Sequence, residues 1–193
     1  MMKKMIFTAI VLMVSLTSFA QREVGSITLQ PRIGFCASDF SNTSDTEARV
    51  GVVAGAEMEY YVSKLVGLSA GLFYAQQGAE LKNYDVTWKL DYVNVPLVAN
   101  FYVWKGLAIK AGLQPGFKVS AEVEGKSGST KASVDLDNVK SFNLAVPFGL
   151  SYDFGRLVLD ARYTVGLTKA FDDSYLDSKN ITFQLGIGYK FSL

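Results

Sequence analysis

Seven charged residues stand out in this sequence, because each lies in a stretch that is otherwise mostly uncharged. Glu57 and Glu59 are two residues apart, as are Asp160 and Arg162. In a β-strand, side chains at this spacing point to the same side. Charges of both signs on one side either form buried ion pairs or build a narrow conduction path or a gate. The set is Arg32, Glu57, Glu59, Lys110, Asp160, Arg162 and Lys190.

Other kinds of chemistry lack the residues they need. The chain has no histidine and a single cysteine, which excludes a Ser-His-Asp triad, a Cys-His pair and a structural zinc site. The acidic stretches "DLDN" (135–138) and "DDSYLD" (172–177) lack the glycine and final glutamate of the twelve-residue calcium loop. In "EGKSGS" a P-loop would need glycine at position 120, which is Ser120. We predict no catalytic residue, no cofactor and no metal site.

The charged residues lie in segments whose apolar and polar residues alternate strictly. The clearest is the C-terminal stretch "ITFQLGIGYKFSL", and this two-residue period predicts a strand with one apolar face. Strands in soluble sheets average about five or six residues, whereas strands tilted across a bilayer need about 9–11 residues within it. The predicted strands are 26–37, 50–61, 67–78, 91–103, 107–118, 142–154, 157–167 and 181–193.

The connections between these segments alternate between short and long. "VSKLV", "WKG" and "GR" are short, and the connections between them are long and polar. This alternation is typical of outer-membrane barrels, which have short periplasmic turns and long outer loops. We therefore predict an all-β protein, an eight-stranded antiparallel up-and-down transmembrane β-barrel with both termini in the periplasm.

The apolar face ends in aromatic residues at both ends of the predicted strands, as in the aromatic girdles of membrane barrels. We therefore predict that this face contacts lipid and that the seven charged residues and Cys36 face the lumen. A small filler residue is the favoured interpretation of Cys36, and a reactive thiol is the alternative. The aromatic residues are Tyr60, Phe101, Trp104, Tyr152, Phe154, Tyr189 and Phe191 near the short turns, and Phe35, Tyr74, Phe117 and Phe142 near the long loops.

The first 20 residues have the features of a secretory signal peptide. "MMKK" is a basic start, Ile6–Leu16 is apolar, and Ser18-Phe19-Ala20 fits a cleavage site. Cleavage after Ala20 leaves residues 21–193 as the barrel domain. Losing Lys3 and Lys4 leaves 17 basic and 18 acidic residues, and this near-neutral balance argues against a nucleic-acid partner.

Four stretches make the chain resemble the PorT-like outer-membrane β-barrel family, whose members are often labelled porin-family proteins. They are "GLFYAQQGAEL" (71–81), "YVNVPLVANF" (92–101), "GLQPGF" (112–117) and the C-terminal strand. The resemblance covers nearly all of the mature chain and implies an eight-stranded outer-membrane barrel without a cofactor. Some members of that family belong to a protein-secretion apparatus.

The predicted function is that of a non-enzymatic outer-membrane barrel with a structural, surface-interaction or assembly role. The lumen is predicted to be closed by its charged network, because the interior of an eight-stranded barrel is normally filled by side chains. The expected partners are outer-membrane lipid and envelope proteins or extracellular ligands, bound through outer loops at about 38–49 and 121–141. The alternative is a small porin that passes small solutes or ions.

Overall fold

The computed structural model describes residues 23–41, 46–81, 86–127, 130–135, 140–168 and 179–193. The predicted signal peptide lies outside these ranges, as do residues 136–138 and 172–177 of the two acidic stretches. Within the described ranges, no helix is long and apolar enough to cross a membrane. The described strands are β1 (Ile27–Phe40), β2 (Thr46–Tyr61), β3 (Val66–Leu81), β4 (Val86–Asn94), β5 (Leu97–Trp104), β6 (Leu107–Ser127), β7 (Thr130–Asp135), β8 (Phe142–Phe154), β9 (Leu157–Gly166), β10 (Asn180–Tyr189) and β11 (Phe191–Ser192).

These strands close into an antiparallel ring. The ring has eight positions: β1, β2, β3, β4 with β5, β6, β8, β9, and β10 with β11. It closes where β1 pairs with β10 and β11, and β7 extends the ring by pairing with β6. The predicted all-β, eight-stranded antiparallel fold is confirmed.

A proline divides the fourth position of the ring. The sequence predicted one continuous strand over 91–103, but β4 ends at Asn94 and β5 begins at Leu97. Pro96 lies between them and has no N–H to donate to a neighbouring strand. Val95 instead donates its N–H to the carbonyl oxygen of Pro115, at 2.7 Å. Both segments pair with β3 and β6 in the same register, so the chain keeps its partners and its direction across the interruption.

The two faces of the sheet differ as predicted. Outward-facing side chains are apolar and exposed, as with Leu185 in the middle of β10, which is 56% exposed. Most inward-facing positions carry polar, small or glycine residues, and Val53, Phe73, Val98 and Val158 are buried apolar exceptions. Aromatic rings pair on the outward face, Phe117 with Phe142 at 5.7 Å and Tyr189 with Phe191 at 4.8 Å. This distribution fits lipid outside and a polar interior.

The strands at the long-loop end are longer than predicted. β2 begins at Thr46, β4 begins at Val86, and β6 continues to Ser127 and forms a hairpin with β7. Most described residues within the predicted loops 38–49 and 121–141 are therefore in strands, and the prediction of loops there was wrong. The cause lies in sequences such as "AEVEGKS" (121–127), where small residues and one valine alternate with charged ones and no face of large apolar side chains marks a strand.

Candidate functional site

The barrel interior, or lumen, contains a cluster of five charged side chains. Lys110 Nζ lies 2.9 Å from a carboxylate oxygen of Glu57 and 2.9 Å from one of Asp160. The Arg162 guanidinium donates to the same two carboxylates, at 3.1 and 3.3 Å, and Arg32 donates to Asp160. Each of the five is at most 5% exposed. In this five-residue cluster, two carboxylates thus bridge three cations contributed by β1, β6 and β9.

A glycine and an aromatic ring position Arg32, which must reach across β10 to contact Asp160 on β9. Gly186 of β10 pairs with Asp160, and a Cβ at this glycine would lie 3.2 Å from both Cγ and Cδ of Arg32. The missing side chain leaves room for the arginine to pass. The guanidinium carbon of Arg32 also lies 4.3 Å from the ring centroid of Phe73, a cation–π contact that helps to fix its direction.

A second cluster, the tyrosine cluster, lies nearer the short-turn end. Lys190 Nζ lies 3.1 Å from a carboxylate oxygen of Glu59 and 2.9 Å from one of Asp153. The same ammonium group contacts the hydroxyl groups of Tyr61 and Tyr102 at 3.2 and 3.1 Å. Tyr102 donates to Glu59 at 2.8 Å. Both carboxylates therefore meet one cation, and Glu59 is further held by phenol groups.

The two clusters together contain all seven charged residues predicted from the sequence, and the structure adds Asp153. The five-residue cluster carries one excess positive charge, and the tyrosine cluster carries one excess negative charge. With Asp153 counted in the tyrosine cluster, the two excess charges cancel and the eight charged residues together are neutral. The sequence analysis did not include Asp153, Tyr61 or Tyr102 in the site, although each lies at one of the alternate strand positions whose side chains face inward. Examining every polar group of that parity would have found them.

Further toward the long-loop end, polar side chains line the lumen. Arg49 donates to the backbone carbonyl oxygen of Gln77 and lies 3.6 Å from Asp91, which adds one more balanced pair of charges. The Cys36 thiol is 1% exposed and donates to the backbone oxygen of Gln76 at 2.9 Å. Cys36 therefore fills space in the lumen, as its parity predicted.

At the long-loop end the interior is apolar. Phe40 and Trp88 pack edge to face, with ring centroids 5.9 Å apart, and Leu90 and Tyr92 are at most 1% exposed. The sequence analysis did not predict this outer cluster, because most of it lies where no strand was recognised. Its members are Phe40, Ala79, Leu90, Tyr92 and Ala121, with Trp88 packed against them.

The arrangement as a whole fixes charges against one another and fills space. Among the described residues, no group of three or more His, Cys, Asp or Glu side chains is placed to hold a metal ion. Desolvation makes a buried ion pair costly to form, and removing one partner costs more, because the other charge is left buried alone. The geometry therefore favours keeping all members of each cluster together.

Comparison with solved structures gives the same fold. Ail, the attachment invasion locus protein of Yersinia pestis, is 18% identical, with a TM-score of 0.52 over 88% of this chain and 100% of Ail. Its complex with the heparin analogue sucrose octasulfate gives 19% identity and a TM-score of 0.55 over the same shares. Neisserial surface protein A (NspA) is 15% identical, with a TM-score of 0.54 over 86% of this chain and 97% of NspA. At these identities the likeness shows the fold alone.

At the level of sequence, no curated protein matches this chain. A family model described as "Outer membrane protein beta-barrel domain" matches residues 19–172, which is most of the chain. A closed ring of strands at eight positions, with an apolar outer face, is the fold expected of an outer-membrane β-barrel domain. The chain therefore belongs to the outer membrane protein β-barrel domain family and is a protein of the bacterial outer membrane.

Proposed function

We propose that this protein is a non-enzymatic outer-membrane barrel with a closed lumen, and that its long-loop end binds partners outside the cell. The filled lumen is the observation that carries this proposal. The five-residue cluster, the tyrosine cluster and the outer cluster occupy different levels of an interior that, in an eight-stranded barrel, is only wide enough for side chains. Charge balance and burial favour a structural role for these residues over an ion path.

The long-loop end of the barrel extends beyond the membrane, and this supports the proposed binding of partners outside the cell. β6 has 21 residues, which at about 3.3 Å each span about 70 Å along the strand. Even at a tilt of about 45°, this exceeds the hydrocarbon core of about 30 Å. The excess forms a projecting sheet, which pairs β2 with β3, β3 with β4, and β6 with both β4 and β7. We define it as residues 46–48, 79–81, 86–90, 121–127 and 130–135.

The charges of the projecting sheet limit the class of partner. Ail has been crystallised with a sulfated heparin analogue, but this sheet carries more acidic than basic residues, and negative charge repels sulfate groups. A protein partner fits this surface better than a sulfated polysaccharide. Among the side chains that the structure describes there, the acidic residues are Glu47, Glu80, Glu122 and Glu124, and the basic one is Lys89.

The proposal includes an orientation and a processing step. Residues 1–20 are a signal peptide, residues 21–193 are the mature barrel, and both termini and the short turns face the periplasm. An even number of strand positions supports placing both termini on one side, and export delivers the chain from the periplasm. Within the family, the motifs at 71–81, 92–101 and 112–117 support assigning the protein to the PorT-like group.

Conductance in planar bilayers tests the closed lumen. We expect the wild-type barrel to show no steady channel, whereas a variant that truncates both Glu57 and Asp160 should open intermittently. A stable, ion-selective conductance from the wild type would show instead that the protein is a small porin.

Labelling of intact cells tests the orientation. A membrane-impermeant maleimide should label a Glu80→Cys variant, whose new thiol lies on the projecting sheet. It should label Lys64→Cys, in the short turn after β2, only after lysis. The opposite pattern would invert the barrel and remove the basis for an extracellular partner.

A further inference from the structure

The outer wall of the barrel has a groove of about 690 Å³. It lies on the outward faces of β2, β3, β5 and β6, which are neighbours in the ring. Alanine side chains form its floor, and longer apolar side chains form its walls. The floor is Ala70, Ala99 and Ala111, and the walls include Met58, Leu97 and Leu113.

The register of the strands produces this depression. Ala70 pairs with Met58 on one side and Leu97 on the other, and Ala99 pairs with Ala111. Short side chains thus lie together between long ones on a surface where most neighbours are large. Because the outward face of this family contacts lipid, the groove is continuous with the lipid-facing surface.

Positive charge lies beyond the groove at the short-turn end of the barrel, where Tyr102 N–H donates to Leu65 and brings two short turns together. The groove is built on two hairpins, β2–β3 and β5–β6, and the short turn of each carries one exposed lysine, Lys64 and Lys105. Lys105 Nζ lies 5.1 Å from the centroid of the Trp104 ring, and Trp104 is 61% exposed. Tryptophan and lysine together are typical of the level at which lipid headgroups lie.

We propose that the groove is a binding site for one anionic phospholipid of the periplasmic leaflet. An acyl chain lies on the alanine floor, and the headgroup phosphate lies near Lys64 and Lys105. The assignment to this leaflet rests on the orientation proposed above, with the short turns in the periplasm.

A second copy of the chain fits the groove less well. Two barrels that pair through this face around a two-fold axis along the membrane normal present the same residues to each other at the same depth. Such pairing would bring the lysines of one copy toward those of the other, and like charges repel. A lipid phosphate has the complementary charge.

Native mass spectrometry of the purified protein in detergent tests this proposal. The protein is titrated with phosphatidylglycerol or with phosphatidylethanolamine of the same acyl composition. We expect one molecule of phosphatidylglycerol to be retained in preference. Lys64→Gln should weaken its binding about five-fold, and Lys64→Gln with Lys105→Gln about 25-fold. Ala99→Phe should also weaken binding, because it fills the floor.

Matched controls lie on the opposite wall. Arg156→Gln removes the positive charge of the remaining short turn, and Ala161→Phe enlarges an outward-facing alanine of β9; neither should change the binding. Gel migration before and after boiling shows whether each variant has folded.

Three results would overturn the proposal. Equal retention of phosphatidylglycerol and phosphatidylethanolamine would remove the role of the lysines. A loss of binding in the control variants equal to that in the groove variants would indicate a general lipid layer. Dimers that Ala99→Phe abolishes would make a second copy of the chain the occupant. Binding in detergent does not depend on the orientation of the barrel in cells. If selective lipid binding is absent while Glu80→Cys is labelled from outside, the proposed lipid site is wrong and the proposed function stands. If the labelling pattern is reversed while lipid binding is intact, the site remains but its lipid belongs to the other leaflet.

Discussion

Glu57→Ala should lower the free energy of unfolding by about 3–5 kcal/mol, the usual cost of removing one partner of a buried ion pair. Glu57 binds Lys110 at 2.9 Å and Arg162 at 3.1 Å, and all three side chains are at most 4% exposed. Without Glu57, three buried cations share the single carboxylate of Asp160. Adding Lys110→Met returns the cluster to its original excess of one positive charge, so the double variant should recover part of the loss.

Urea-induced unfolding in lipid vesicles measures these changes through the fluorescence of the two tryptophans, Trp88 and Trp104. The exposed residue Glu80 provides the control, since Glu80→Ala should change stability by no more than about 0.5 kcal/mol. A loss below about 1 kcal/mol for Glu57→Ala would place the pair in the range of solvent-exposed ion pairs. The network would also be refuted if the double variant lost as much unfolding free energy as the two single variants together, because contacting residues should couple by about 0.5–3 kcal/mol.

Three further outcomes are expected. Leu185→Arg should destabilise the barrel by about 2–4 kcal/mol in the same unfolding assay, because it places a charge on the lipid face near mid-strand; insertion and stability equal to wild type would reverse the assignment of faces. Cys36 should react with a maleimide only after denaturation, since its thiol is buried, and labelling of the folded barrel would show an open lumen. The mature protein should begin at Gln21 by N-terminal sequencing and should change its gel migration only on boiling; a chain that starts at Met1 would contradict the proposed cleavage.

Much of the fold follows from alternation alone. Within the bilayer one face must be apolar and the other must be small or polar, so the period of two is enforced and the central part of each strand is predictable. Toward the long-loop end this requirement ends, and residues 46–49 and 121–127 continue as strands without a face of large apolar side chains. Hydrogen bonding to neighbouring strands maintains them, since β2 pairs there with β3, and β6 pairs with β4 and β7.

The site was harder to predict than the fold. Parity indicated which side chains enter the lumen, but it did not indicate which of them meet across it. That depends on the stagger between strands, which brings Lys190 to Glu59 and Asp153. The outer cluster was missed for a related reason: Phe40 and Leu90 are inward-facing but apolar, and they contradict the rule that the inside of the barrel is polar. That rule fails at the long-loop end, and Phe73 beside Arg32 is a further exception.

The ion pairs of the lumen also join the two ends of the chain, with a consequence for the order of folding. Arg32 and Asp160 are 128 residues apart in sequence, and Lys190 and Glu59 are 131 apart. Contacts over such separations form late, because the entropy of closing the intervening loop must be overcome first. Until the last strand pairs with the first, Lys190 does not reach Glu59. The last strand therefore brings Lys190 to Glu59 as it closes the ring, and in a chain cut short before Lys190 the buried Glu59 carboxylate loses this ammonium partner, which opposes insertion into the membrane.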